Sequence, residues 1–227
     1  MNKQMTLAEL NDEFGAARTN KKEFLEKMDH IVPWDELVSI VEPYYYKGEH
    51  GNKPFPLELM LRIYVLQNLY DLADMKVMYE ILDSRAFSEF CCVSSPDEVP
   101  DGDTIGRFRN LLVKYDLQKK IFDMVAQQLV DRGLILKKGT IVDSTFIESP
   151  SSTKNKKKER DPEAHSAKKG NTWHFGYKAH IGVDRETGLV HHIETTAANV
   201  HDVAVVSKLI SGEEETVNGD SGYLGAE

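Results

Sequence analysis

TIVDSTFIES, residues Thr140–Ser149, decides the fold. Its β-branched and aromatic residues predict a strand, and Asp143 breaks its apolar run. In a regular pleat Asp143, Thr145 and Ile147 share one face and Glu148 points to the other, so Glu148 stands apart from any site built on Asp143. Downstream, His174–Asp184 and Leu189–Ala198 predict two strands joined by DRETG, whose Gly188 suits a hairpin. Asn199 is the expected N-cap of a helix over Val200–Ile210, with Val203, Val206 and Ile210 on one face. Glu215–Asp220 predicts a last strand leading into GDSGYLG. A right-handed crossover through that helix lays the last strand parallel to the first. Asp143 and Asp220 then meet near the carboxyl ends of neighbouring strands.

Upstream the period is helical. In PLELMLRIYVLQNLYDLAD, Leu59, Ile63, Leu66 and Tyr70 mark one face while Leu61, Val65 and Leu69 cover the other, which predicts a central buried helix after Pro54 and Pro56. Met75–Phe90 predicts another. Asp103 is the expected N-cap of TIGRFRNLL, with Ile105, Phe108 and Leu112 as its apolar stripe. Leu117–Arg132 follows, stopped by Gly133. The reading is thus α+β, with a helical domain over residues 1–136 and an α/β domain over 137–227.

Residues 150–172, PSSTKNKKKERDPEAHSAKKGNT, hold seven Lys/Arg and three acids, leaving 21 Lys/Arg against 34 Asp/Glu elsewhere. A segment this polar buries too little to offset its ordering entropy and reads as a mobile loop. It is either a solvated linker or a phosphate-contacting arm, through Lys154, Lys156, Lys157, Lys158, Arg160, Lys168 and Lys169. Arg107 and Arg109 carry the same two readings, a solvated helix face or a phosphate contact. The net charge of −9 makes no global case for nucleic acid, so any such contact is local. No run approaches 18 uncharged apolar residues, and Met1–Lys22 has no apolar h-region; neither a membrane span nor a secretory signal is expected. The only cysteines, Cys91 and Cys92, are neighbours that do not suit a strain-free bridge, which fits a cytoplasmic setting.

Two neighbouring carboxylates repel, and a divalent cation removes that cost. All-oxygen ligands suit Mg²⁺ or Mn²⁺, and the matching chemistry is in-line attack on a phosphodiester. His174, His180, His191, His192 and His201 fit no tight zinc spacing. Trp173, Phe175 and Tyr177 form an alternating face for which core packing is the default. Asp184 and Glu186 read as turn acids, and Asp202 as a helix N-terminal charge with a supporting role at most.

The blocks IVDSTFIESPSSTKN, KKGNTWHFGYKAHIGVD, TTAANVHD and GDSGYLG resemble bacterial insertion-sequence transposases of the DDE class, IS-five type. YYYKG, PFPLELMLRIYVLQ and PDGDTIGRFRNLL resemble the amino-terminal domain of the same group. The resemblance implies a ribonuclease-H-like catalytic domain, here truncated, in which three acids hold two Mg²⁺ (or Mn²⁺) ions. Asp143 matches the first acid and Asp220 the second. The third is a Glu within Tyr-x2-Arg-x3-Glu-x6-Lys, and no segment of the 227 residues matches it; Tyr223 is followed three positions later by Ala226, not Arg. Also implied are double-stranded DNA partners (the element's terminal inverted repeats and target DNA) and a homo-oligomer on DNA. The expectation is a transposase that is inactive or impaired as a 227-residue polypeptide. Its rival is a non-catalytic DNA-binding remnant that interferes with full-length transposase.

Overall fold

A computed structural model describes residues 18–48, 53–156 and 158–223. The chain forms two compact units, residues 1–121 and 122–227. The first is helical: α1 (Asn20–Ile31), α2 (Trp34–Val41), α3 (Leu57–Tyr70), α4 (Asp74–Asp83), α5 (Arg85–Phe90) and α6 (Gly102–Lys114). Helix α7 (Leu117–Asp131) runs from the first unit into the second. The second unit adds β1 (Gly139–Glu148), β2 (His165–Lys169), β3 (Thr172–Asp184), β4 (Val190–Ala197) and β5 (Thr216–Asn218). The architecture is mixed helix and sheet, as the α+β reading expects. Among the described residues, no helix is long and apolar enough to cross a membrane.

Helix α3 is the buried axis of the first unit, with Leu59, Met60, Leu61, Ile63 and Leu66 at 8% exposure or less. Val65 is half-buried and Leu69 exposed, so the second apolar side is only partly covered. Arg62 is buried among these residues. It donates to Asp29 Oδ1 at 2.6 Å, Glu58 Oε1 at 2.8 Å and the Phe90 carbonyl at 2.8 Å, so the buried charge is paired and hydrogen-bonded. The expected helix over Met75–Phe90 is two helices, because Ser84 is extended (φ −110°, ψ 113°) between α4 and α5. The cap of α6 is Asp101, not Asp103: its carboxylate accepts from Thr104 N at 2.6 Å. Asp103 instead lies in the first turn, where an acid also suits the helix dipole. Ile105, Phe108 and Leu112 are buried, as their stripe predicts.

In the second unit β1 and β3 are antiparallel from Thr140↔Asp184 to Glu148↔Gly176, and β4 pairs antiparallel with β3 through the expected DRETG turn. Residues 150–172 are not all loop: His165–Lys169 forms β2, hydrogen-bonded antiparallel to Thr172–Gly176. Backbone pairing with an existing strand orders a segment whose side chains bury little. The expected helix over Val200–Ile210 is a 3-10 segment, Asp202–Lys208, following His201 with no side-chain cap. Val203, Val205 and Val206 are β-branched and favour helices weakly. Asn199 therefore caps nothing here.

The small core consists of Val142, Val205, Val206, Leu209 and Tyr223. It lies against the sheet face that carries Thr140 and Val142 of β1 and the even-numbered residues of β3. Trp173, Phe175 and Tyr177 are not core: Trp173 is 68% exposed, and the other two are half-buried. The face with Gly176 and Gly182 is covered instead, because glycine lets backbone come close. A Cβ built on Gly182 would lie 2.2 Å from the Leu209 carbonyl oxygen. Asp184, wholly buried, ties the turn to the chain entering β1. Its Oδ2 accepts from Leu136 N and Lys137 N, and its Oδ1 from Thr187 N, all at 2.9 Å.

Candidate functional site

β1 and β5 run parallel in the register Gly139↔Thr216, Thr140↔Val217, Ile141↔Asn218. The crossover from β4 through the 3-10 segment accounts for that direction. The pairing ends at Ile141↔Asn218, and Asp143 on β1 and Asp220 after β5 each lie two residues past that pair. Asp143 lies in the middle of β1 rather than at its carboxyl end, just beyond the last residue paired to β5. It is exposed, on the face of Ile141 and Ile147, and its Oδ1 accepts from Ser144 N at 2.7 Å. Asp220 follows β5, exposed, and its Oδ1 accepts from Gly222 N at 2.8 Å. Glu148 points away from Asp143 and bonds His174 Nδ1 at 3.0 Å.

Tyr223 closes this corner. Its ring is in the core beside Val142, and its Oη is buried with no hydrogen-bond partner among the described residues. Burial first pushes the phenol up; Ser144 nearby pulls it down, and the charges of Asp202, Asp143 and Asp220 push it up further.

Sequence reasoning gave Asp202 a supporting role at most. The structure gives it definite partners. Lys178 Nζ donates to Asp202 Oδ1 at 2.8 Å and to the Val200 carbonyl at 3.0 Å. His180, wholly buried, donates or accepts through Nε2 to Thr196 Oγ1 at 2.9 Å, with Nδ1 3.7 Å from Asp202 Oδ1. Burial lowers the His180 pKa and outweighs the pull of Asp202. The signal in the sequence was the even-numbered run His174, Gly176, Lys178, His180, Gly182, Asp184: polar or glycine at every position of one strand face.

The basic residues are distributed as follows. Lys154, Lys156 and Lys158 are exposed in irregular chain, and Lys157 lies outside the described residues. Arg160 stacks its guanidinium over Phe175, 5.5 Å from the ring centre. Lys168 and Lys169 are exposed on β2. In the helical unit Arg107 bonds Thr104 Oγ1 at 2.7 Å, and Arg109 forms a two-bond pair with Asp74 at 2.8 and 3.2 Å. Among the described residues, no three His, Cys, Asp or Glu side chains stand close enough to hold a metal ion directly.

Residues 13–111 match a family model described as a transposase domain (DUF772). Residues 135–227 match one described as a transposase DDE domain. Two transposase domains in succession support a DNA transposase, and the second supports the DDE class. The pair supports an insertion-sequence DDE transposase, a family that generally uses divalent metal ions. No solved structure matches the chain.

Proposed function

We propose that the protein moves an insertion sequence of the IS-five type, cleaving the element's ends and joining them to target DNA, through a ribonuclease-H-like domain that begins near residue 137. The observation that supports the reading is the parallel β1–β5 register, with Asp143 and Asp220 each two residues past its last pair, in a chain with two transposase domains. Asp143 and Asp220 are the metal ligands. The donor set fits the ion: Mg²⁺ is held by one or two carboxylates, with water and substrate phosphates completing its shell. When bound, the ion supplies activation of the attacking oxygen and stabilisation of the leaving one. In the family arrangement two such ions act together.

The chain's own residues position the substrate. Asp143 and Asp220 are exposed and reachable by a phosphodiester. The cations of 154–169 attract its backbone, and exposed Lys168 and Lys169 extend that attraction along β2. Arg107 adds a contact in the helical unit; Arg109 would exchange Asp74 for phosphate. The DNA partners are the terminal inverted repeats and the target, the working form is a homo-oligomer on DNA, and the setting is the cytoplasm.

The test combines gel shift and nicking of supercoiled DNA in Mg²⁺ or Mn²⁺. Binding that weakens steeply with salt is expected, and any polypeptide of this protein that nicks must lose nicking in Asp143→Asn and in Asp220→Asn. Nicking that survives both substitutions overturns the reading.

A further inference from the structure

The β2–β3 hairpin holds aromatic rings that the core does not use. Trp173, at 68%, is the most exposed of the large apolar side chains described. Its indole makes no hydrogen bond or ring contact among the described residues. One exposed apolar residue needs no explanation, but this one has neighbours on its own sheet face. Phe175 is half-buried there, and Ile147, paired with Tyr177 across β1 and β3, is 48% exposed.

Cations frame the rings. Lys168 is the direct partner of Trp173 across the β2–β3 ladder, so their side chains rise from one face with Cβ atoms about 5 Å apart. Exposed Arg160 lies over Phe175, 5.5 Å from the ring centre. The chain that carries Arg160 is pinned to β3, because Tyr177 Oη donates to Asp161 Oδ2 at 2.7 Å. In a chain of net charge −9, cations beside open rings are a local exception. The same face leads to Asp143, which pairs with Ile181. Ile181 lies eight residues along β3 from Trp173, about 27 Å at the rise of an antiparallel strand.

A flat ring beside two cations matches the chemistry of a nucleotide, a base face with a phosphate on either side. In a duplex each base face is covered by its neighbours, so an open ring finds a stacking partner only where a base is unpaired. We propose that Trp173, with Lys168 and Arg160 beside it, is a stacking platform for an unpaired base of the DNA strand on which the chain acts. The inference rests on the reading of the protein as acting on DNA and is independent of the metal ligands.

The experiment is fluorescence anisotropy with two labelled probes, a single strand of about 16 nucleotides, the upper end of single-strand site sizes, and its duplex. Circular dichroism checks the folding of each variant. Trp173→Ala is expected to weaken single-strand binding about 10-fold and to change duplex binding, held by phosphates, by less than about 2-fold. Trp173→Phe, which keeps a ring, should retain most of the single-strand affinity. Lys168→Gln and Arg160→Gln should weaken both probes and flatten the salt dependence. Single-strand binding unchanged in Trp173→Ala, or equal losses on both probes, overturns the platform. Polyglutamate that displaces the strand, with the same sensitivity to Trp173→Ala, assigns the face to an acidic protein partner and also overturns it. Failure of the parent chain to bind either probe overturns the DNA reading itself, and the platform with it.

Discussion

Gly182 is the point where the crossover touches the sheet, and Gly182→Ala tests that packing. A Cβ there would stand 2.2 Å from the Leu209 carbonyl oxygen, 3.3 Å from its carbon and 3.4 Å from His191 Cε1. The nearest obstacle is backbone, so it cannot rotate away as a side chain would. Reaching ordinary contact requires a shift of about 1 Å between β3 and the 3-10 segment, in a core already close-packed. Leu209 is wholly buried and belongs to the cluster of Val142, Val205, Val206 and Tyr223, so the shift is felt by every member. Overpacking of this kind costs about 1–3 kcal/mol. For a domain of about 100 residues each kcal/mol lowers the melting temperature by roughly 4–8 °C. Urea and thermal unfolding followed by circular dichroism measure both quantities. Gly188→Ala is the control: its surroundings are open and only its φ of +72° resists a side chain, which limits the loss to about 1 kcal/mol. Gly182→Ala within about 0.5 kcal/mol of the parent chain, the range of an ordinary surface change, would refute the packing argument.

Three further outcomes are expected. Burial pushes the Glu214 carboxyl up, but hydrogen bonds from Ser211 N, Ser211 Oγ and Gly212 N prevail and hold it at about 2, against its ordinary 4.5. Its contribution is therefore complete above pH 4.5 and lost as pH falls toward 2; Glu214→Gln should remove that part of the acid dependence of urea unfolding, and an unaltered profile contradicts it. Neutralising Lys154, Lys156, Lys157 and Lys158 should flatten the salt dependence of DNA binding, by about 0.9 in log–log slope for each phosphate no longer neutralised, whereas an unchanged slope makes the segment a solvated linker. Tyr223→Phe removes a buried hydroxyl that lies near Ser144 and makes no well-formed hydrogen bond among the described residues. It should leave the metal-free chain as stable or more stable, by up to about 1 kcal/mol, and a comparable loss on thermal unfolding would reveal a bond to that oxygen.

The elements whose signals are local were legible in the sequence. Leu59, Ile63 and Leu66 mark a buried helix because their spacing and their packing are the same fact. DRETG joins two alternating strands because Gly188 tolerates the positive φ that the turn requires. The parallel direction of β1 and β5 was legible too, since a right-handed crossover suffices to lay the last strand beside the first. Contacts decided by distant partners were not. β2 forms because β3 offers an unpaired edge, although its own side chains are polar. The choice of β3 face depended on where the Leu209 carbonyl lands, and hydrophobicity pointed instead to Trp173, Phe175 and Tyr177. Asp202 looked like a helix-terminal acid because Lys178, its partner, lies 24 residues away on another element. Asp101 displaced Asp103 as a cap for a smaller reason: both acids precede the same apolar stripe, and only the geometry at Thr104 separates them.

The most direct test of the central claim is to locate the ion. In amide-resolved NMR of the 227-residue chain, Mn²⁺ added well below one equivalent should broaden first the signals of Val142–Thr145 and Gly219–Tyr223. The effect should vanish in Asp143→Asn and Asp220→Asn. Broadening centred elsewhere, at Asp184 and Glu214 for example, or broadening that persists in both variants, would contradict a metal site built on Asp143 and Asp220.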